Sequence, residues 1–511
     1  MLKSAIVFGD NMVLQRQKKI HIWGEGDTGK NVTVSLIGDK TVSASTEVKK
    51  DGTWELDLPE QEAARNLVLK ITNGETTLTY KDVSIGEVWI AGGQSNMEYF
   101  LAYDAEKKSV LNGPMNPDIH FFDTPKVSYE GQITEHDYSA YGYWRSCTKK
   151  DLPNFSAVCY YFAAKLQKTL EVPVGVVACD WNGTPACTWT DPEELKKGAG
   201  KAWIDSYELN VSALDNDEYK EAFRKNPLNN RSNPLKDLPA PAKKIFYPGM
   251  GEKEQKLLLK VVPPDKLSFM GGEELGPFDE RRPGALYKFM LKTIAPFTAR
   301  GFIYYQGESD EKRASIYGDV MKALITSWRK LWNEEMPFLF VQLAPFGEML
   351  GTTGVHFPEV RRQQEKVSKD VANTYMISTS DAGMYWDVHP KHKRVVGERL
   401  ALMATGKIYG EDILCEAPEF VEAKRTSEGI DLYFANADGL KIKGEKVNDL
   451  TVTDAYIQEV EVKQFDISEN VLHLIGDFPE SVTITFATTP YYEVNLYNAA
   501  EIPAKPFMVK I

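Results

Sequence analysis

The stretch EVWIAGGQSNM, residues Glu87–Met97, contains the pattern that decides the fold class. Its first five residues, Glu87–Ala91, are almost continuously apolar, as buried parallel strands are when both of their faces are covered. Two glycines then make a turn, and Ser95 stands where a helix is expected to begin. Ligands of open α/β sheets bind where the strands end, so this serine is a candidate nucleophile. An ordinary serine N-cap after a glycine turn is the alternative.

Four further apolar runs of the same kind follow in the chain. They are Val174–Cys179, Gly301–Gln306, Phe338–Leu343 and Thr374–Ser380. Apolar residues at three-to-four spacing predict helices around Phe155–Leu166 and Ile316–Leu331. The alternation of strands and helices predicts an α/β domain with a doubly wound parallel sheet at residues 83–410. Residues 191–282 lose this rhythm and are expected to form an insertion over the sheet, or a lid.

Both ends of the chain have the texture of antiparallel β structure. Short β-branched and aromatic segments are separated by Gly, Asp and Asn turns, as at Asn31–Ile37 and Val471–Ile475. We therefore expect an N-terminal β module at residues 1–82 and a C-terminal β module at residues 411–511, both of sandwich type.

Composition and charge argue against several classes of protein. The 511 residues carry a formal net charge of −13, and 42% of them are hydrophobic. Such a chain can build a core, and its acidic balance argues against nucleic acid or an anionic membrane as the partner. No apolar run approaches the roughly 18 residues of a membrane span. The first residues, MLKSAIVFGDN, lack the apolar core of a signal peptide, and the five cysteines lack disulfide or zinc spacing.

Polar groups also follow the second and third predicted strands. Asn182 and Gly183 come after the second strand, and Gln306 and Glu308 come at the end of the third. A glycine can bring its N–H group close to an oxyanion, and an amide side chain can add another donor. Each motif alone also fits a tight turn or a helix cap.

His389 follows the fifth predicted strand, and Asp387 lies two residues before it. A lone histidine is more often structural, but this one shares a predicted sheet edge with Ser95. A serine, a histidine, an aspartate and oxyanion donors at one edge are typical of a hydrolase. His392 adds a second imidazole without an HExxH motif or a good third ligand. We therefore predict no metal site and no cofactor.

Several motifs together resemble the sialate O-acetylesterase family of SGNH-type (GDSL-like) carbohydrate esterases. They are GGQSNM at Gly92–Met97, WNGTP at Trp181–Pro185, YYQGESD at Tyr304–Asp310 and DVHP at Asp387–Pro390. FGDNMVLQR at Phe8–Arg16 and NLYNAAEIPAKPF at Asn495–Phe507 extend the likeness over essentially the whole chain.

The resemblance implies a flavodoxin-like esterase core flanked by β modules, which removes O-acetyl groups from carbohydrate. O-acetylated sialic acid is the first substrate expected. Acetylated xylan or another plant polysaccharide is the alternative substrate, and a carbohydrate-binding protein on an inactive esterase fold is the alternative outside enzymes. Family members are commonly exported, so a periplasmic or secreted location is expected.

The resemblance also implies roles for individual residues. Ser95 matches the nucleophile and His389 the general base. The N–H groups of Ser95 and Gly183, with the side chain of Gln306, match the oxyanion hole. Substrate contacts are expected from the side chains that flank these positions: Gln94, Asn182 and Glu308.

Two positions depart from the usual pattern. Asn182 replaces a glycine that is more common in the family, which adds a side chain beside the acyl pocket. The wider SGNH fold has DxxH, whereas Asp387 stands two residues before His389. Asp387 is the first candidate to orient the imidazole, and the carbonyl of Trp386 and the carboxylate of Asp381 are alternatives.

Overall fold

The computed structural model describes residues 1–225, 252–261 and 275–511, which form a mixed α/β protein around an eleven-stranded sheet. The strands of the N-terminal part are β1 (Lys3–Ser4), β2 (Val13–Gln15), β3 (Ile20–Glu25), β4 (Asn31–Ile37), β5 (Thr41–Glu47), β6 (Thr53–Leu58), β7 (Ala64–Thr72) and β8 (Thr77–Gly93). The central part adds β9 (Ile119–Asp123), β10 (Trp144–Ser146), β11 (Val174–Asp180), β12 (Gly301–Tyr305), β13 (Phe338–Val341), β14 (Glu348–Met349), β15 (Thr352–Thr353) and β16 (Thr374–Ile377).

The remaining strands belong to the C-terminal part, and the helices lie between the central strands. The strands are β17 (Glu419–Arg425), β18 (Gly429–Ala435), β19 (Lys441–Ile442), β20 (Leu450–Asp454), β21 (Gln464–Ser468), β22 (Val471–Ile475), β23 (Val482–Phe486), β24 (Leu496–Tyr497) and β25 (Phe507–Lys510). The α-helices are α1 (Ser95–Glu98), α2 (Lys107–Asn112), α3 (Gln132–Glu135), α4 (Ala157–Leu170), α5 (Pro192–Leu195), α6 (Lys201–Ala213), α7 (Asn216–Lys225), α8 (Glu252–Val261), α9 (Lys292–Ile294), α10 (Tyr317–Trp332), α11 (Phe357–Asp370) and α12 (Lys393–Lys407).

The central part of this sheet has six parallel strands in the order β9-β11-β8-β12-β13-β16, and β10 pairs antiparallel with β9 at one edge. The other four strands of the eleven are β2, β4, β5 and β7 of the N-terminal part. The five strands predicted from apolar runs are all present. The sixth, β9, was not predicted, because its short sequence IHFFD carries a histidine and an aspartate that interrupt the apolar run. The predicted helices correspond to α4 and α10.

The register of the sheet brings the carboxyl ends of three strands to the same level. Gly93 of β8 lies opposite Asp180 of β11 and Tyr305 of β12. The N–H of Gln94 donates to the Tyr305 carbonyl at 3.1 Å, and the N–H of Trp181 donates to the Gly93 carbonyl at 3.1 Å. The segments that follow these strands therefore leave the sheet side by side.

The long strand β8 joins the N-terminal part to the central sheet. Its first half pairs with β7, and its second half lies between β11 and β12. The predicted boundary between residues 82 and 83 falls within this strand. The N-terminal strands and the central layer share one buried apolar cluster, while the C-terminal strands build a second one.

The strand predicted at Val471–Ile475 is present as β22, and the C-terminal strands form sheets ordered β17-β18-β22-β21 and β20-β23-β25. Arg361 of α11 donates to the carbonyl of Thr489 at 2.5 Å, and the N–H of Phe346 donates to the carbonyl of Pro490 at 3.0 Å. These contacts dock the C-terminal module on the central layer. The sandwich type of both β modules stays a prediction.

The described part of the predicted insertion at residues 191–282 is helical and contains α5 to α8. Residues 226–251 and 262–274 lie outside the described residues, so the prediction of a lid is untested. Among the helices described, none has the length and apolar character needed to span a bilayer.

Candidate active site

Ser95 opens helix α1 directly after β8, at the carboxyl edge of the sheet. The turn before it requires glycine, because Gly93 has a φ of +139° and a Cβ there would lie 2.1 Å from the Tyr305 carbonyl oxygen. Gln94, not Ser95, occupies the N-cap position of α1. The serine is therefore not the helix cap that the alternative interpretation required.

His389 lies in the loop between β16 and α12, and its imidazole is buried against the ring of Tyr99. Burial lowers the pKa of His389; the hydrogen bond and charge of Asp387 oppose this shift, while the charges of Lys391 and Lys393 add to it. The net shift is downward, so the imidazole is neutral near pH 7. A neutral imidazole is the form that can accept a proton from a nucleophile.

Asp387 is the carboxylate beside this imidazole. Its Oδ1 accepts the backbone N–H of His389 at 2.8 Å and lies 3.5 Å from Nδ1 of the ring. Lys391 Nζ lies 2.8 Å from Oδ2. Burial alone would raise the pKa of Asp387, but the hydrogen bond and charge of His389 and the charge of Lys391 lower it overall. The carboxylate is thus ionised and faces Nδ1, which leaves Nε2 to act as the base.

The two other candidates for orienting His389 have partners of their own. The carbonyl of Trp386 accepts the side-chain N–H of Gln255 from α8 at 2.5 Å. Asp381 forms a two-pronged ion pair with Arg399, with N–O distances of 2.6 and 2.8 Å. Each of these groups is therefore engaged with a partner other than the imidazole. The geometry favours Asp387 as the group that orients His389.

The side chain of Asn96 connects the serine turn to the histidine loop. Its Nδ2 donates to the carbonyl of Val388 at 3.0 Å. Asn96 follows Ser95 in the chain, and Val388 precedes His389. The nucleophile candidate and the base candidate therefore sit on neighbouring segments that are held together by a direct hydrogen bond.

The loop after β11 holds Asn182 and Gly183. The N–H of Asn182 donates to Glu98 Oε2 of α1 at 2.6 Å, which ties this loop to the helix that starts with Ser95. Gly183 is exposed, has a φ of +71°, and has open space where a Cβ would stand. Gly183 follows the end of β11, which pairs with the end of β8, and its oxyanion role stays a prediction.

Gln306 is buried at the end of β12, and its amide nitrogen already has several acceptors. Nε2 lies 2.5 Å from Asp310 Oδ2, 3.1 Å from Gln94 Oε1 and 3.3 Å from the Thr184 carbonyl. An amide nitrogen has only two hydrogens. Gln306 must therefore release one of these partners to serve as the expected oxyanion donor, and in this arrangement it holds Gln94 in place.

Two carboxylates follow β12, and Asp310 is buried while Glu308 is half-buried. Burial raises the pKa of Asp310 to about 6, although the N–H of Ala186 and the amide of Gln306 both donate to it. Burial also raises the pKa of Glu308, against the hydrogen bond that Asn96 donates to its Oε1. Glu308, expected to contact substrate, is thus bound to the residue next to the candidate nucleophile.

Three residues of this site were not singled out in the sequence. Asn96 stands next to Ser95, Lys393 donates to Asn96 Oδ1 at 2.5 Å, and Gln255 donates to the carbonyl before Asp387. The GGQSNM motif contains Asn96, and the spacing of four residues from His389 could have drawn attention to Lys393. Gln255 carries no such signal, since it comes from a helix far away in the chain.

The described ranges contain no group of three or more His, Cys, Asp or Glu side chains placed to hold a metal ion. All five cysteines are free and buried. The groups that the structure shows at this edge of the sheet include a serine hydroxyl, a neutral imidazole, an ionised carboxylate and backbone N–H groups.

Comparison with known proteins confirms the resemblance to the sialate O-acetylesterase family. The family model described as "Carbohydrate esterase, sialic acid-specific acetylesterase" matches residues 255–405. The sialate O-acetylesterase of Rattus norvegicus is 25% identical over 547 aligned residues, which cover 98% of this chain and 93% of the relative. The human sialate O-acetylesterase is 23% identical and covers 99% of this chain and 92% of its own length.

A solved structure shares the fold over the full length. A carbohydrate acetylesterase from Xanthomonas citri superposes with a TM-score of 0.74 at 24% identity, and 99% of each chain is covered. The mixed α/β architecture, with its β-rich ends, is therefore found in another protein as a whole.

Proposed function

We propose that this chain, a carboxylic ester hydrolase by its family match, is a serine esterase that removes O-acetyl groups from carbohydrate. O-acetylated sialic acid is the first candidate substrate. The observation that carries the proposed mechanism is the hydrogen bond from Asn96 to the Val388 carbonyl, because it joins the segments of Ser95 and His389.

In the proposed first step, Ser95 Oγ attacks the carbonyl carbon of the acetyl ester while His389 Nε2 takes the hydroxyl proton. The negative charge moves to the carbonyl oxygen, where the N–H groups of Ser95 and Gly183 donate, joined by Gln306 once it releases a partner. The carbon–oxygen bond to the sugar then breaks. His389 returns the proton to the sugar oxygen, which leaves an acetyl group on Ser95.

In the second step, His389 removes a proton from water as the water attacks the acetyl carbon. The bond to Ser95 Oγ breaks, the serine regains the proton, and acetate leaves. Asp387 holds Nδ1 toward itself throughout and stabilises the imidazolium that forms in each half of the reaction. No step requires a metal ion or an organic cofactor.

Two observations support the roles of Ser95 and His389. The serine lies on a short helix at the carboxyl edge of the sheet, and the buried imidazole has a lowered pKa that keeps it neutral. The five predicted strands have the order 2-1-3-4-5 in the sheet, which supports our proposal of a flavodoxin-like SGNH core.

The decisive experiment measures acetate release from O-acetylated sialic acids, acetylated xylo-oligosaccharides and acetylated pectin fragments. We expect the sialic acid esters to be cleaved with the highest kcat/KM; a preference for acetyl-xylan would establish the alternative substrate. Ser95→Ala should lose at least about a thousandfold in kcat on p-nitrophenyl acetate while folding normally. EDTA should leave the wild-type rate unchanged.

An inactive wild type on every acetyl ester would favour a carbohydrate-binding protein on an esterase fold. A Ser95→Ala variant that keeps more than a few per cent of the activity would contradict the serine mechanism. We also propose, from the family resemblance, a periplasmic or secreted location, which cell fractionation with an antibody against the chain would test.

A further inference from the structure

Lys393 is a buried amine beside the candidate active site that the proposed reaction does not use. It is the first residue of α12, four residues after His389, and its side chain is fully buried. Its backbone N–H donates to Asp104 Oδ2 at 3.0 Å, and its ammonium lies 4.6 Å from the centre of the Tyr99 ring. Burying an amine costs free energy unless the amine is hydrogen-bonded, so we expect Lys393 to have a specific partner.

That partner is the side chain of Asn96. Lys393 Nζ donates to Asn96 Oδ1 at 2.5 Å. The ammonium form of lysine can only donate, so in this form the contact fixes which end of the amide is oxygen. The nitrogen end must then face the opposite side, where it donates to the Val388 carbonyl at 3.0 Å and to Glu308 Oε1 at 2.5 Å.

The amide of Asn96 is consequently a strut between the nucleophile turn and the base loop. One end of the strut belongs to the residue after Ser95, and the other end binds the residue before His389. Displacing a reacting group by about 1 Å can cost about a hundredfold in rate. A strut between these two segments can therefore influence the rate of the reaction.

We propose that Asn96 and Lys393 are positioning residues that set the separation of Ser95 and His389, with Lys393 holding the Asn96 amide in its bridging orientation. This inference rests on the proposed function. Neither residue touches the reacting atoms in the proposed steps. Glu308 completes the strut by accepting the second hydrogen of the amide.

The charge on Lys393 also acts on the pKa of His389. This effect can be measured separately from the support that Lys393 gives to the Asn96 amide. Burial lowers the pKa of Lys393 to about 7; Glu308, Asp387 and Asp104 oppose the shift, and Lys391 adds to it. Both the ammonium and the amine have N–H groups to donate, so the strut survives the titration. The ammonium form, however, lowers the pKa of His389 by repulsion, as Lys391 also does.

The test uses purified full-length protein, p-nitrophenyl acetate as the probe, and the variants Asn96→Ala and Lys393→Met. Both should lower kcat about 10–100-fold with KM changed less than about threefold. The double variant should lose no more than about threefold beyond the worse single variant, because both residues act through one strut. Lys407→Met, at the far end of the same helix, is the matched control and should keep wild-type kcat.

The pH profile of kcat/KM provides the readout that a structural role would not change. In Lys393→Met, His389 loses a repelling charge, its pKa rises, and the acidic limb should move to higher pH. In Asn96→Ala the charge remains, so the limb should stay in place although kcat falls. Melting temperatures of all variants are measured in parallel, and Asn96→Ala alone decides the strut if Lys393→Met does not fold.

The inference is overturned if kcat is unchanged in Asn96→Ala, if the two losses multiply in the double variant, or if the acidic limb of Lys393→Met does not move. Ser95→Ala in the same series separates this inference from the proposed function. An inactive Ser95→Ala enzyme beside a fully active Asn96→Ala enzyme would remove the strut and leave the serine mechanism standing.

Discussion

Asp387 and Asp381 are two carboxylates six residues apart that contact different partners and therefore have different roles. Asp387 faces the imidazole of His389, whereas Asp381 is committed to Arg399. The sequence left both open as the group that orients the histidine, because their distance from His389 depends on how the backbone turns after β16. The tertiary contacts, which no local pattern encodes, separate them.

We predict that Asp387→Asn lowers kcat on p-nitrophenyl acetate by up to about 10⁴-fold, because an amide cannot stabilise the imidazolium and favours the wrong tautomer. Asp381→Asn should keep kcat within about threefold and instead cost about 1–3 kcal/mol of stability through the weakened Arg399 pair. Steady-state kinetics and urea unfolding measure the two effects. A loss of only a few-fold in Asp387→Asn would mean that a Ser95–His389 dyad does the work.

At the scale of single elements, the loop after β11 is held at several points. Its Asn182 N–H is bound by Glu98, the hydroxyl of Thr184 donates to the Trp181 carbonyl at 2.6 Å, and the Trp189 indole donates to that hydroxyl at 3.0 Å. We expect a loop held by these hydrogen bonds to resist displacement by a bulky acyl group.

We therefore predict that p-nitrophenyl acetate is cleaved far faster than the butyrate and octanoate esters. Asn182→Gly, which removes the side chain beside Gly183, should raise the ratio of butyrate to acetate kcat/KM at least about fivefold, since one or two methylenes in a tight pocket carry that much discrimination. Equal rates across the three esters in the wild type would contradict the proposal that the loop after β11 limits the size of the acyl group.

The buried carboxylate of Glu87 in strand β8 binds side chains from several parts of the chain. Arg16, which belongs to the N-terminal part, donates to this carboxylate at 2.6 Å. Arg300, which belongs to the central part, donates to it at 2.9 and 3.1 Å, and the hydroxyl of Tyr409 donates at 2.9 Å. Burial alone would raise the pKa of Glu87, but the hydrogen bonds and charge of Arg300 and the hydrogen bond of Arg16 lower it overall. The carboxylate thus links two modules through one strand.

Glu87→Gln should cost about 3–5 kcal/mol, because it removes a fully buried carboxylate and leaves two half-buried guanidinium groups without their counter-charge. Folding lowers the pKa of Glu87, so its contribution is present above the unfolded pKa of about 4.3 and is lost as the pH falls through the lower folded value. The stability gap between wild type and variant should therefore shrink between pH 5 and pH 3. Glu55→Gln, in an exposed pair with Lys49, is the control and should change stability by less than about 1 kcal/mol.

At the scale of the whole molecule, the sequence predicted the elements better than their connections. All five central strands and the helices α4 and α10 follow from local apolar periodicity, and so do Ser95 and His389 as residues of one sheet edge. The length of β8, the edge strand β9 and the contacts of Asn96 with Lys393 did not follow. Each of these depends on pairing between segments that are far apart in the chain, and periodicity reports only which face of a segment is buried.

The docking of the C-terminal module is a contact of this long-range kind. Arg361 of α11 is buried, and its guanidinium donates to the carbonyls of Thr489 and Pro490 and stacks 4.9 Å from the centre of the Tyr492 ring. Its neighbour Arg362 is exposed and pairs with Glu359 on its own helix. The two arginines are adjacent in sequence but differ in what they hold, which makes them a matched pair for a test.

We predict that Arg361→Met releases the C-terminal module, because the carbonyl of Thr489 loses its charged donor, a bond of about 1.5–3 kcal/mol. The module has its own buried apolar cluster, so calorimetry should show its unfolding separate from the main transition and move to lower temperature by several degrees. Arg362→Met should leave the thermogram unchanged, since exposed pairs contribute about 0–1 kcal/mol. Turnover of p-nitrophenyl acetate should stay within about threefold in both variants, as the proposed nucleophile and base belong to the central layer. A single unshifted transition in Arg361→Met would show that the apolar contacts alone dock the module.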